Sequence, residues 1–377
     1  MANPIPLYNL VDEEERTTLK KDIQAKYEAS GKSTRFTQKA ARIDSDDDQE
    51  GFAPDEKIVI PEYDQLLGVD PSVYRQINTA LNSGKQHLMF YGPPGTGKTT
   101  LARHVAGMLH GQKWAMITGS ADWTSQEIIG GYQPIENGVV RFFPGVLLCN
   151  FDRPLVIDEL NRCDIDKVIG PLFTVLSGQQ TTLPYRLHAS DPESPQYVIL
   201  PNHKDDPLDH EFAPGPSWRL LATINSIDKA SLYQMSYALS RRFGWIFVDA
   251  PKDTKAFIQN YMEQVKGRQP ETINGVPPLA AIWDAINQIR TIGPAPIIDA
   301  INAIEIVMPG SDLFNIPNGE LRVAYTDAFD LFMLPLLDGI LRHEAEQIAS
   351  QVSAALGVSE DGSELEGLKR RILSVAV

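Results

Sequence analysis

Short apolar runs recur along the chain and read as buried strands: HLMFY at His87–Tyr91, then Trp114–Thr118, Leu155–Asp158, Trp218–Ile224 and Trp245–Val248. Between them the pattern shifts to helical spacing. Asp70-Pro71 opens a helix with an acidic cap and a proline at its first turn; Val73, Ile77 and Leu81 fall on one face, and Gly84 closes it. LARHVAGML, Leu101–Leu109, is a second amphipathic stretch. Strands alternating with helices predict an α/β fold, a parallel sheet with helices on both faces. From about residue 252 the texture becomes helical, over Thr254–Val265, Pro278–Ile289, Pro296–Val307 and one long tract, Tyr325–Leu356. That predicts a smaller all-helical lid at 252–377 beside an α/β domain at 57–251. Residues 1–56 are polar and include the acidic run DSDDDQE, Asp44–Glu50, so they read as a flexible segment; Glu13–Ala29 fits either a helix or a solvated tail. The core begins near Ile58-Val59-Ile60.

Composition adds a few limits. The chain has 377 residues, of which 42% are apolar, enough for two lobes and a tail. Its longest apolar runs fall short of the roughly 20 residues a membrane helix needs, and the start, MANPIPLYNLVDEEER, turns acidic where a secretory signal would turn apolar. Cys149 and Cys163 are the sole cysteines, which fits ordinary thiols in a reducing cytoplasm. A net charge of -15 disfavours a surface devoted to nucleic acid but leaves room for a local basic channel. The seven histidines show no HExxH and no zinc spacing with cysteine.

The candidate chemistry starts at Gly92-Pro93-Pro94-Gly95-Thr96-Gly97-Lys98-Thr99, followed by Thr100. It matches G-x-x-x-x-G-K-[ST] and sits between a strand and a helix. Glycines let backbone N–H groups curl around phosphate oxygens, and a helix N-terminus favours negative charge. Lys98 is placed to reach the β- and γ-phosphates of a nucleotide, and the Thr99 hydroxyl to ligate Mg²⁺. A second apolar strand, in FDRPLVIDELNR, runs straight into Asp158 and Glu159. Beside a phosphate loop, Asp158 can serve the Mg²⁺ on Thr99 while Glu159 polarises an attacking water as general base. A third strand, in WRLLATIN, ends on Asn225, whose amide can hold the lytic water or the γ-phosphate. SRRF follows, with Arg241 and Arg242. This pair reads either as donors to the transferring phosphoryl or as a cap on a helix C-terminus.

In order and spacing these four motifs, over roughly residues 58–345, resemble the AAA+ ATPases, and within them the branch of the MoxR ATPases, the magnesium-chelatase AAA subunits and the McrB restriction subunits. SQEIIGGYQPIENGVVRFFPGVL resembles the β-hairpin insert of that branch, about 125–145, with Asn137-Gly138 as its turn. The resemblance implies that Ile135–Val140 face a ring pore and contact substrate. It also implies a site shared between subunits of a ring, usually a hexamer. One subunit would supply Lys98, Thr99, Asp158, Glu159 and Asn225, and its neighbour Arg242, with Arg241 as a possible companion. Glu159–Arg162, Asn225–Lys229 and Leu334–Leu337 lean toward McrB, which uses GTP; Asn225-Ser226-Ile227-Asp228-Lys229 departs from the McrB run, and the loop GPPGTGKT has the common ATP form, so ATP is expected. Two features depart from the family. Gly293-Pro294-Ala295-Pro296-Ile297 carries Ile where MoxR lids carry the sensor-2 arginine. A long stretch at about 184–217, rich in Pro, Asp and His, precedes the Asn225 strand and reads as an extended hairpin and loop, either a partner contact or a bare surface loop.

No nuclease constellation, protease dyad or von Willebrand-type domain is visible in the sequence. The leading expectation is therefore an ATP-driven ring that remodels or activates a protein partner, such as a von Willebrand A-type or effector subunit. The first alternative is a motor subunit that translocates DNA in a restriction or defence complex. The second is a nucleotide-gated scaffold with little hydrolysis.

Overall fold

The computed structural model describes residues 57–377 apart from 111–112, 136–138, 171, 226–240, 269–274 and 359–362. The acidic segment 1–56, the Asn137-Gly138 turn and the run Ser226–Lys229 lie outside the described residues. Those described belong to one unit, Ala53–Val377.

Helix α1 (Pro71–Asn82) starts where Asp70 accepts the N–H of Ser72, at 2.7 Å, with Pro71 in the first turn. Its buried face, Val73, Tyr74, Ile77 and Leu81, packs beside strand β1 (His87–Gly92). The phosphate loop then turns into α2 (Lys98–His110), and β2 (Ala115–Thr118) follows. A short helix α3 (Ser125–Ile128) leads into an antiparallel hairpin of β3 (Gly130–Pro134) and β4 (Val140–Pro144), then α4 (Val146–Cys149). Strand β5 (Leu155–Asp158) is followed by a 3-10 turn at Leu160–Arg162, α5 (Ile165–Ile169) and α6 (Leu172–Leu176).

The stretch after α6 folds as β6 (Thr181–Arg186), β7 (Gln196–Ile199) and β8 (Glu211–Phe212), a separate three-stranded sheet. It leans on the β3–β4 hairpin through an aromatic cluster: Phe142 stacks near Tyr185, Tyr197 and Phe212, and the Tyr132 hydroxyl accepts the Arg186 N–H at 2.6 Å. Strands β9 (Leu220–Asn225) and β10 (Phe243–Phe247) complete the main sheet, whose order is β10-β1-β9-β5-β2 with every pair parallel.

Both faces of the central strands β1, β9 and β5 are covered, which is why they are nearly continuous apolar runs instead of alternating ones, while the edge strand β2 leaves Met116 exposed. Leu88, Phe90, Val156, Leu221 and Ile246 join the α1–α2 side, while Met89, Leu155, Ile157, Leu220 and Ala222 join the other.

Helices α7 (Thr254–Gln264), α8 (Pro278–Asn287), α9 (Ala295–Val307), α10 (Gly319–Phe332), α11 (Arg342–Ala355) and α12 (Ser363–Leu373) share a second core around Trp283, Tyr325 and Phe329. The single tract predicted over Tyr325–Leu356 is two helices. Pro335 sits in a 3-10 turn, Leu334–Leu337, and Gly339 adopts φ +77°, so the chain cannot continue as one α-helix there.

Candidate nucleotide site

Parallel pairing brings the candidate residues together. Gly92 at the end of β1 lies opposite Asn225 at the end of β9, and Asp158 closes β5 one strand away. The phosphate loop between β1 and α2 curls over this end, with Gly95 and Gly97 in the left-handed region at φ +75° and +83°. Pro94, Gly95, Gly97, Lys98, Thr99, Thr100, Asp158, Glu159 and Asn225 all line one cavity of about 610 Å³, within the size range of small-molecule sites.

Inside it the polar groups are specifically tied. The Lys98 ammonium donates to the carbonyls of Gly92, at 3.0 Å, and Pro93, at 2.6 Å. Burial pulls its pKa down to about 8, against the attraction of Asp158 and Glu159. The Thr99 hydroxyl donates to Asp158 Oδ1 at 2.6 Å. Thr96 is buried and donates to the Pro93 carbonyl at 3.1 Å, bracing the loop from within. Glu159 pairs with Arg162 at 2.5 Å. This donor set fits a triphosphate and a hard divalent cation: a charged amine, backbone donors at a helix N-terminus, and hydroxyl and carboxylate oxygens of the kind Mg²⁺ takes.

The arginines lie elsewhere. Phe243 opens β10 opposite His87, the first residue of β1. Arg242 therefore sits at the far end of the sheet, about 20 Å along the strands from Gly92. Its guanidinium is held by the Ser177 hydroxyl, at 3.2 Å from Nε and 2.7 Å from an η-nitrogen. Arg241 is exposed beside it, and its carbonyl accepts from Lys85 at 2.8 Å. Within one chain, neither arginine joins the cavity.

Residues 87–243 match the family model for the AAA domain of the dynein-related subfamily. Over these residues the chain carries an AAA domain of the dynein-related type. AAA+ proteins are as a class nucleoside triphosphatases. Among similar proteins is the type IV methyl-directed restriction enzyme EcoKMcrB subunit of Escherichia coli K12, 27% identical over 191 residues, or 46% of this chain. The match spans only 37% of that relative's length. The Holliday junction branch migration complex subunit RuvB of Ligilactobacillus salivarius is 35% identical over 107 residues, covering 27% of this chain and 32% of that protein. The solved RuvB branch migration motor of Thermotoga maritima superposes with a TM-score of 0.41 at 16% identity, over 84% of this chain and 90% of that one, too distant to bear on function.

Several residues of this AAA+ site escape a linear reading of motifs. Leu66 and Leu67 before α1, Tyr261 and Val265 at the end of α7, and Ile298 in α9 line the apolar part of the cavity. They come from three places in the chain and carry no motif. The helical region reaches the phosphate loop directly. Gly293 donates its N–H to the Pro94 carbonyl at 2.8 Å, and Ala295 to that of Gly95 at 3.2 Å. A Cβ on Gly293 would fall 2.2 Å from the Gly95 carbonyl carbon, so this approach requires glycine. Ile297, which stands at the expected sensor-2 position, is fully buried in the helical core and is not part of the cavity lining.

Among the described residues no helix is long and apolar enough to cross a membrane. Both cysteines are free thiols; Cys149 is exposed, and burial pushes the Cys163 thiol up to about 11.

Proposed function

We propose that this AAA+ protein hydrolyses ATP with Mg²⁺ at the seam between neighbouring copies in a cytoplasmic ring, hexameric by family habit, and that turnover remodels or activates a protein partner. The observation that carries the reading is the separation of its charged groups. Lys98, Thr99, Asp158, Glu159 and Asn225 gather at one end of the sheet, whereas Arg242 stands at the other, out of reach of its own cavity. A second copy could bring Arg242 to that cavity.

Each residue then has a distinct task. Loop N–H groups and the Lys98 ammonium grip the phosphates, which are better acceptors for that amine than the carbonyls of Gly92 and Pro93. Thr99 and Asp158 would hold Mg²⁺, which when bound neutralises phosphate charge. Glu159 takes the proton of the attacking water, and Asn225 orients that water or the γ-phosphate. Arg242 of the neighbouring copy, with Arg241 alongside, donates to the charge that spreads over the transferring phosphoryl. Leu66, Leu67, Tyr261, Val265 and Ile298 offer the base an apolar slot, and the loop form favours ATP over GTP. With the domain limits expected at 57–251 and 252–377, this slot would lie between the α/β core and the lid. The hairpin positions Ile135, Val139, Val140 and Phe143 are exposed apolar side chains suited to a protein client.

The match to a restriction subunit favours a second reading, a DNA-translocating motor. ATP turnover of the purified chain with and without duplex DNA separates the two. Remodelling predicts turnover that DNA leaves unchanged and that Glu159→Gln lowers by about 10²- to 10⁴-fold while ATP still binds. Turnover that DNA raises, with steep salt dependence, supports the motor instead. Wild-type turnover in Glu159→Gln contradicts the role given to Glu159.

A further inference from the structure

Thr223 sits in the middle of β9, 2% exposed, among apolar strand residues. Its hydroxyl both donates and accepts. It donates to Asp158 Oδ1 at 2.6 Å and accepts the N–H of Glu159 at 2.9 Å. A single oxygen thus links the carboxylate of one acid to the backbone of the next.

The backbone it grips is unusual. Among the described residues, Glu159 is the one non-glycine residue with positive φ, at φ 51°, ψ 47°. A side-chain-bearing residue is disfavoured there and stays only where its surroundings over-determine it. Three neighbours do so. Thr223 holds the Glu159 N–H. Gly119 donates its own N–H to the Asp158 carbonyl at 2.7 Å and makes room for the next one; a Cβ on Gly119 would fall 2.4 Å from the Glu159 carbonyl oxygen. Arg162 holds the carboxylate. The turn separates the two acids, so that Asp158 stays with Thr99 while Glu159 leaves the strand direction.

We propose that Thr223 is a positioning residue whose hydroxyl ties the Asp158 carboxylate to the Glu159 peptide and so holds both acids in working register. It rests on the roles given above to Asp158 and Glu159. Valine at this position keeps the shape and the strand preference but removes both hydrogen bonds, and serine keeps them.

The test compares full-length Thr223→Val, Thr223→Ser and Glu159→Gln with wild type. It reads turnover at saturating ATP and Mg²⁺, affinity for a fluorescent ATP analogue, and amide exchange of the peptide spanning Glu159 without nucleotide. Thr223→Val should lose between about tenfold and a hundredfold in turnover, the scale of hydrogen bonds to a charged group. Its nucleotide affinity should stay within about threefold of wild type, and exchange around Glu159 should quicken. Thr223→Ser should restore most of the turnover and the slow exchange. Wild-type turnover in Thr223→Val beside an inactive Glu159→Gln would overturn the role of Thr223 and leave the hydrolytic reading standing. Thr223→Ser as slow as Thr223→Val would also overturn it, since the methyl and not the hydroxyl would then matter. Full activity in Glu159→Gln would overturn the assignment of Glu159 and this proposal with it.

Discussion

At the C-terminal ends of β5 and β9 stand Asp158 and Asn225, facing an open cavity, with Gly92 of β1 buried beside them; at the N-terminal ends of β1, β9 and β10 stand His87, Leu220 and Phe243, sealed from solvent. The first end is polar and constrained, with a lysine bent onto carbonyls and a glutamate in a left-handed turn. The second is closed by packing. His87 lies edge-on to Trp218, with ring centres 4.9 Å apart, and accepts the Leu220 N–H on Nδ1 at 3.0 Å. The contrast shows how one sheet divides its labour. Strand carboxyl ends leave backbone groups and loops open to a ligand, whereas the amino ends are packed shut. Arg242 stands at the closed end, outside its own cavity, which is the ground for proposing that it serves a neighbouring copy.

Breaking the far end should have the largest effect on activity. Arg242→Ala should lower turnover by about 10³-fold or more and leave nucleotide binding by the isolated chain unchanged. Titrating a fluorescent ATP analogue beside a turnover assay checks both halves of that statement. A weaker perturbation is Ser177→Ala, which frees the guanidinium from its anchor. It should cost turnover about tenfold, with charge and fold intact.

The smallest expected effect concerns stability. Burial, with a lesser contribution from Arg219, pulls the His87 pKa down to about 3 from its ordinary 6.5. The unfolded chain therefore takes up a proton that the folded chain refuses between those values. Stability is full above about pH 6.5 and falls as the solution is acidified, by up to about 1.4 kcal/mol per pH unit from this group. Denaturant midpoints at pH 7.5 and 5.0 should differ more in wild type than in His87→Gln, which keeps an acceptor and cannot become charged.

Much of the polar end was legible in the sequence because phosphate chemistry allows few alternatives. A glycine loop, a lysine, a hydroxyl and two acids after an apolar strand must stand close to one another, and the cavity gathers all of them. The central strands were readable because they are buried on both faces; β9 ends on Asn225 as its motif suggests and starts at Leu220, two residues after the predicted Trp218. What escaped has no local signature. Thr223 looks like an ordinary strand residue until β5 lies beside it. Leu66, Tyr261 and Ile298 meet only when three distant segments pack, and Ser177 meets Arg242 across 65 positions of chain. The break between α10 and α11 did have a signal, Pro335 and Gly339, but helical periodicity on either side outweighed it. Gly293 was noticed only as part of a missing arginine motif; its actual use, a close approach to Gly95, is visible only in three dimensions.

The central claim is that two copies complete one site. Mixing Arg242→Ala subunits with Glu159→Gln subunits tests it most directly, because each variant alone lacks half of every interface. The account predicts that turnover reappears on mixing, at interfaces where an intact Glu159 meets an intact Arg242. Mixtures that demonstrably co-assemble yet stay as inactive as either variant alone would contradict it.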